Sequence, residues 1–190
     1  MIRAQFSIIP LIVLHKTMKH TLEVLRAKRN SQLSEEDTLK AICVDLSKDV
    51  NADLVSIWFF NAGLTAIECQ AYYDATNKSF KKGQVLERSE YPNYFQAIIE
   101  ETCISAPDSQ NQFFTRELAK DYLIPNNIKS TLDFIFHEDL APIGVICCEN
   151  RSETRNWSEA DKSNLRIVAT LISHRFQFKM KDPTSGLTER

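Results

Sequence analysis

Between residues 50 and 54 the hydrophobic period of the chain switches from helical to extended, and this switch limits the folds open to it. Upstream, Leu39, Ile42, Leu46 and Val50 recur at the spacing of an amphipathic helix. Ser34 and Asp37, three residues apart, form a capping pattern at its start. Downstream, residues 54–60 read LVSIWFF, the β-branched and aromatic composition of a strand. Asn61-Ala62-Gly63 is turn chemistry, and residues 64–73 read as the returning strand of a hairpin. Two more strands are expected at 128–136 and 143–149, separated by His137-Glu138-Asp139. Pro142 has no N–H and belongs at a strand start or edge.

The segment between the two strand pairs is mixed. Tyr91-Pro92-Asn93-Tyr94-Phe95 opens a short helix to about Glu101, and residues 103–106 suit a short strand. Residues 113–123 are expected to form a second short helix, ended by Pro125-Asn126-Asn127. Aromatic-rich but broken by Pro92, Pro107 and Pro125, this segment should cover the sheet loosely.

The last helix, capped by Ser158 and Asp161, carries two apolar stripes. Leu165, Val168, Ala169, Ile172 and Phe176 fall on one face; Ile167, Leu171 and Phe178 fall almost opposite. Two stripes need two partners: the sheet, and the same helix of a second subunit. A homodimer is expected.

Ahead of Ser34, Leu11, Leu14, Met18, Leu22 and Leu25 follow Pro10 at helical spacing, with Lys16, Lys19, Arg26, Lys28 and Arg29 on the same segment. This basic helix is read as a leading helix with a solvated face; contact with an anionic membrane surface is the other reading. The apolar run at 8–14 is far short of the roughly 20 residues of a membrane span. Arg3 precedes that run as in a signal peptide, but no small-residue cleavage site follows before His15 and Lys16. A cytoplasmic location is expected.

The net charge of −2 provides no basic field for nucleic acid, and the aromatic residues do not interleave with a basic patch. Cys43, Cys69, Cys103, Cys147 and Cys148 are odd in number and without a CxxC pair, so reduced, mostly buried thiols are expected. Cys147 and Cys148 are neighbours on a strand and should face opposite ways. His137 falls at an expected turn; His15, His20 and His174 lie in helices without paired ligands. No metal site, cofactor, or set of nucleophile, base and orienting group is recognised.

Five segments in order resemble the GAF domains of bacterial sensor kinases and diguanylate cyclases. They are residues 55–60 (VSIWFF), 91–97 (YPNYFQA), Ser130-Thr131-Leu132-Asp133, residues 144–150 (GVICCEN) and Arg155-Asn156-Trp157. Cys148 and Asn150 stand where that subgroup has two histidines. The resemblance implies an α+β fold: an antiparallel sheet with the terminal helices on one face, and short helices over a pocket on the other. It divides the chain into an N-terminal helical extension (1–33), a sensory domain (34–180) and a tail (181–190). The tail resembles the start of a diguanylate cyclase domain at Asp182, Gly186, Leu187 and Arg190, but no Gly-Gly-Asp-Glu-Phe loop is present. It is either the beginning of an output domain or a chance match.

The function implied is a regulatory domain that senses a small molecule and signals through dimeric terminal helices to an output domain or partner. The residues expected at the ligand are Trp58, Tyr91, Tyr94, Phe95, Phe114, Tyr122, Asp133, Cys147 and Glu149. For the aromatic residues core packing is the competing reading; Asp133 and Glu149 could equally face solvent or pair with a cation. Two alternatives stand beside this function. One is a dimerisation module with a collapsed pocket. The other is a thiol enzyme like the GAF-type free methionine sulfoxide reductases, whose cysteine spacing is absent here. The Cys-His pair of bilin attachment is also absent, and Asn77-Lys78-Ser79-Phe80 is followed by two lysines rather than the acidic pair of cyclic-nucleotide GAF domains.

Overall fold

A computed structural model describes residues 34–176. The N-terminal helix and the tail expected from the sequence lie outside the described residues. Within them the order is α1 (Glu35–Val50), β1 (Leu54–Phe60), β2 (Ala66–Asp74), β3 (Ser79–Lys81), β4 (Val85–Glu87), α2 (Pro92–Glu100), β5 (Cys103–Ala106), a 3₁₀ turn (Arg116–Leu118) running into a π turn (Ala119–Leu123), β6 (Ser130–Glu138), β7 (Ala141–Asn150) and α3 (Glu159–Phe176).

The strands form one antiparallel sheet in the order β3-β2-β1-β7-β6-β5, with β4 pairing to the other end of β2. On one face, α1 and α3 bury Leu39, Ile42, Leu46, Leu165, Val168 and Ile172 against Val55, Ile57, Leu132, Phe134, Ile146 and Cys148. The other face carries a second core under α2 and the 3₁₀–π segment. This is the α+β layering expected from the sequence.

Both helix starts are capped as the sequence predicts. The Ser34 hydroxyl accepts the Asp37 N–H at 3.1 Å, and three acidic residues in the first turn of α1 complement the helix dipole. At α3 the box is reciprocal: Ser158 Oγ accepts the Asp161 N–H at 3.1 Å, while Asp161 accepts the Ser158 N–H at 2.9 Å.

Alternation fixes which residue faces which layer, and a bulge resets it once. Ile57 pairs with Ala71 and Trp58 with Cys69, so Gln70 is the extra residue. It turns Ile67 and Cys69 toward the second core and Ala71 and Tyr73 toward the helices. On β7, Gly144 lies beneath the Phe136 ring and against the Trp58 carbonyl oxygen, where any Cβ would collide with both.

Three sequence expectations need correction. The β6–β7 turn is Asp139-Leu140, both at positive φ (48° and 69°), so His137 lies in β6 rather than at the turn. Residues 113–123 do not form an α-helix, because burying both Leu118 and Leu123, five residues apart, requires the wider π spacing. The short strands β3 and β4, not anticipated, extend the sheet beside β2.

Candidate functional site

The sheet face away from α1 and α3 is apolar at its edges and polar at its centre. The ladders align Ser56, Cys147 and Asp133 in one row across β1, β7 and β6. The next row is Leu54, Glu149 and Thr131, and on the other side lie Trp58, Val145 and Ile135. Alternation points all nine side chains to this face. Two carboxyl groups, a thiol and two hydroxyls therefore meet inside a core, each at most 5% exposed.

The cover brings partners to them. Tyr94, on α2, donates its hydroxyl to Asp133 Oδ2 at 3.1 Å and lies 3.9 Å from Cys147 Sγ. Tyr122, in the π turn, donates to Glu149 Oε2 at 2.8 Å. The Trp58 indole N–H donates to Ser56 Oγ at 2.7 Å. Thr131 Oγ1 is buried without a partner.

A long-range clasp holds the cover together. Tyr91, the residue before α2, provides no side-chain cap. Glu117 of the 3₁₀ turn replaces it, accepting the backbone N–H groups of Asn93 at 2.9 Å and Tyr94 at 3.1 Å as well as the Asn93 side-chain amide. A carboxylate on a helix N-terminus is favoured by both the free N–H groups and the dipole. At the far end, Arg151 bonds the Asn126 carbonyl at 3.1 Å and Asp74 at 2.9 Å.

Burial dominates the protonation of this cluster. It pushes Asp133 up to about 7, against the opposing hydrogen bonds from Cys147 and Tyr94. It pushes Glu149 up to about 8, with the Asp133 charge adding to the rise and Tyr122 and Arg151 opposing it. Between floor and cover remains a cavity of about 20 Å³. That is room for a water molecule and not for an organic ligand. A larger groove of about 300 Å³ opens between β6 and α3, lined in part by Phe136, His137 and Arg166, but it holds no comparable cluster of buried acids.

Residues 34–176 match the GAF domain family. The chain belongs to that family. No curated protein matches it significantly in sequence. Among solved structures, the GAF domain of an Acinetobacter phosphoenolpyruvate-protein phosphotransferase superposes with a TM-score of 0.65 at 15% identity, over 84% of this chain and 91% of that one. The phycocyanobilin-bound GAF domain of a cyanobacterial phytochrome gives 0.66 at 15% identity, over 85% and 96%. The chromophore-binding domain of a Stigmatella aurantiaca bacteriophytochrome gives 0.67 at 13% identity over 93% of this chain, which spans only 64% of that longer one. At such identities the likeness is one of fold.

Of the residues expected at a ligand, this GAF domain gathers Trp58, Tyr94, Tyr122, Asp133, Cys147 and Glu149 around the cavity. Tyr91 and Phe95 pack in the core beside it without lining it. Phe114 does not reach it: the ring stacks edge-on against Phe113 and is 37% exposed, because the 3₁₀–π segment turns Leu118 and Leu123 inward instead. Thr131, Leu86, Leu118 and Leu123 line the cavity unforeseen. Strand parity with Asp133 signals Thr131, two residues away; no signal marks the others. The clasp residue Glu117 was missed too, although a helix starting at Tyr91-Pro92 with no local acceptor has to borrow one.

The cysteines lack the features of an activated thiol. All five are free, and Cys147 and Cys148 face opposite cores. Burial pushes Cys69 up to about 12 and Cys103 up to about 11, the reverse of what a nucleophilic thiolate needs. Among the described residues no helix is long and apolar enough to cross a membrane.

Proposed function

We propose that this GAF domain is a cytoplasmic sensory module whose site on the β1-β7-β6 floor takes a small organic molecule when the cover opens. The observation that carries the reading is the buried pair Asp133 and Glu149 with their tyrosine partners, and the unpartnered Thr131 hydroxyl beside them. Two acids placed side by side in a core lower stability unless something offsets their burial, and apolar residues would fill the same space at less cost. The cover above them joins a nine-residue helix to an irregular 3₁₀–π turn through the Glu117 clasp, a jointed construction that can open as a gate. A similar fold that holds phycocyanobilin supports an organic ligand of some size.

A ligand selecting the open cover would redistribute strain across β6 and β7, whose opposite faces carry α3. From there the signal passes to a partner subunit and an output domain. Ile167 and Leu171 are half-exposed on α3, as a second helix partner requires; Phe178 lies outside the described residues. The segments 1–33 and 177–190 would carry the connections.

Native mass spectrometry of freshly purified full-length protein tests the reading. A retained small molecule, lost in Asp133→Ala, is the expected result. The water-sized cavity favours a second reading, a ligand-free dimerisation module. An empty spectrum together with an intact dimer selects that reading.

A further inference from the structure

The walls of the cavity are uneven in charge. Asp133 enters from β6, Cys147 and Glu149 from β7, Tyr94 from α2 and Tyr122 from the π turn. No Lys, Arg or His is among the residues that line it. The guanidinium of Arg151 is already taken by Asp74 and the Asn126 carbonyl. Once the two carboxyls are ionised, acceptors are in excess: the tyrosine O–H groups are spent on them, each carboxylate keeps lone pairs to spare, and Thr131 Oγ1, 3% exposed, has no partner.

Resting on the reading of this cavity as a ligand site, we propose that its occupant is a flat cation rich in N–H groups, of the amidine, guanidine or protonated-heterocycle class. Its nitrogens donate to Asp133, Glu149 and Thr131 while its plane lies against Trp58, Tyr94 or Tyr122. Charge-assisted hydrogen bonds to both acids would supply the countercharge that the fold omits. The aromatic rings offer negative faces to a cation. A phosphate or carboxylate would find no cation in this lining, and an anion buried without a countercharge is strongly disfavoured. The site thereby excludes the anionic ligands that a sheet-and-helix pocket often takes at a helix N-terminus; the N-terminus of α2 is itself closed by Glu117.

The experiment compares matched probes on the full-length protein by thermal shift and calorimetry: benzamidine and phenylguanidine against benzoate, phenyl phosphate and neutral benzamide. The cations should raise the melting temperature and the anions should leave it unchanged. Asp133→Asn and Glu149→Gln should each weaken the cations about ten-fold or more. Thr131→Val, isosteric and without the hydroxyl, should weaken them less while leaving unfolding cooperative, which separates lost contacts from a damaged fold. Binding of benzoate or phenyl phosphate without the cations overturns the proposed class but leaves the ligand site standing. Silence from all five probes also overturns the class; the ligand-site reading itself falls only with the empty mass spectrum described above.

Discussion

The paired acids make the stability of this domain depend on pH in an unusual direction. In the unfolded chain Asp133 and Glu149 release their protons near 3.8 and 4.5, whereas in the folded chain they keep them to about 7 and about 8. Across that window the folded state binds more protons, so stability is full at low pH and is lost as pH rises. Each pH unit of the mismatch is worth about 1.4 kcal/mol per group. From 3.8 to about 7 that amounts to on the order of 4 kcal/mol for Asp133, and from 4.5 to about 8 to on the order of 5 kcal/mol for Glu149. Together these approach the whole stability of an ordinary domain, about 5–15 kcal/mol.

The perturbation is Glu149→Gln, with Asp133→Asn as its companion. Each amide still accepts the tyrosine hydroxyl and no longer titrates. Urea denaturation at steps from about pH 5 to about pH 8, followed by Trp58 and Trp157 fluorescence, measures the slope. The wild type should lose stability as pH rises; Asp133→Asn should lose it about 1.4 kcal/mol per pH unit more slowly up to about pH 7 and Glu149→Gln up to about pH 8, and both variants should gain on the wild type at the basic end. Groups held below the usual carboxylate range, Glu36 and Asp74, act at lower pH and do not enter this window. A flat wild-type profile, or variants that follow the wild-type slope, would refute the burial argument, because solvent-exposed acids would give that result.

Other substitutions probe separate links of the argument. Glu117→Ala should lower stability by about 1–2 kcal/mol, the cost of a lost helix cap, and should speed amide exchange in residues 92–123 ahead of the rest of the sheet; uniform exchange would mean that the clasp does not hold the cover. Gly144→Ala should cost about 3 kcal/mol, since its Cβ meets the Phe136 ring and the Trp58 carbonyl, and a neutral melting shift would contradict that packing. The pair Ile167→Glu and Leu171→Glu should give folded monomers by sedimentation, and a wild type that is itself monomeric at high concentration removes the argument for a second helix partner.

The parts of this fold legible in the sequence are those with a period and a cap. The α1 stripe from Leu39 to Val50, the Ser158–Asp161 box and the four long strands all show local rules in agreement with the packing. β3 and β4 leave no trace because three-residue strands with mostly exposed side chains have no alternation to read. In residues 113–123 the apolar spacing resembles a helix, yet the tertiary need to bury Leu118 and Leu123 together overrides it and leaves Phe113 and Phe114 outside. Asp133 and Glu149 were recognisable as acids inside apolar strands, but their facing was not, because parity is set by the pairing of β6 with β7, with the bulge near Phe136 lying beyond them. The Glu117 clasp spans 24 residues and obeys no local pattern.

The two cores are separated by a single layer of backbone, and that layer is where any message between them must travel. On β6, Asp133 faces the cavity while its neighbours Leu132 and Phe134 face the helices. On β7, Cys147 faces the cavity and Ile146 and Cys148 face the helices. Arg166 of α3 rests over the Phe134 ring, 6.0 Å from its centroid. In the proposed reading, a ligand that drew Asp133 toward itself would tilt residues one peptide away that pack against α3, and interiors packed to crystal density transmit such shifts rather than absorb them. The cover packs on the floor through Phe95, Ile98, Leu118 and Leu123 as well as through the Tyr94 and Tyr122 hydroxyls. The helices pack on the opposite face through Leu132, Phe134, Ile146 and Cys148, so in the proposed reading a shift of the cover reaches α3 through the peptides that join these two sets of side chains.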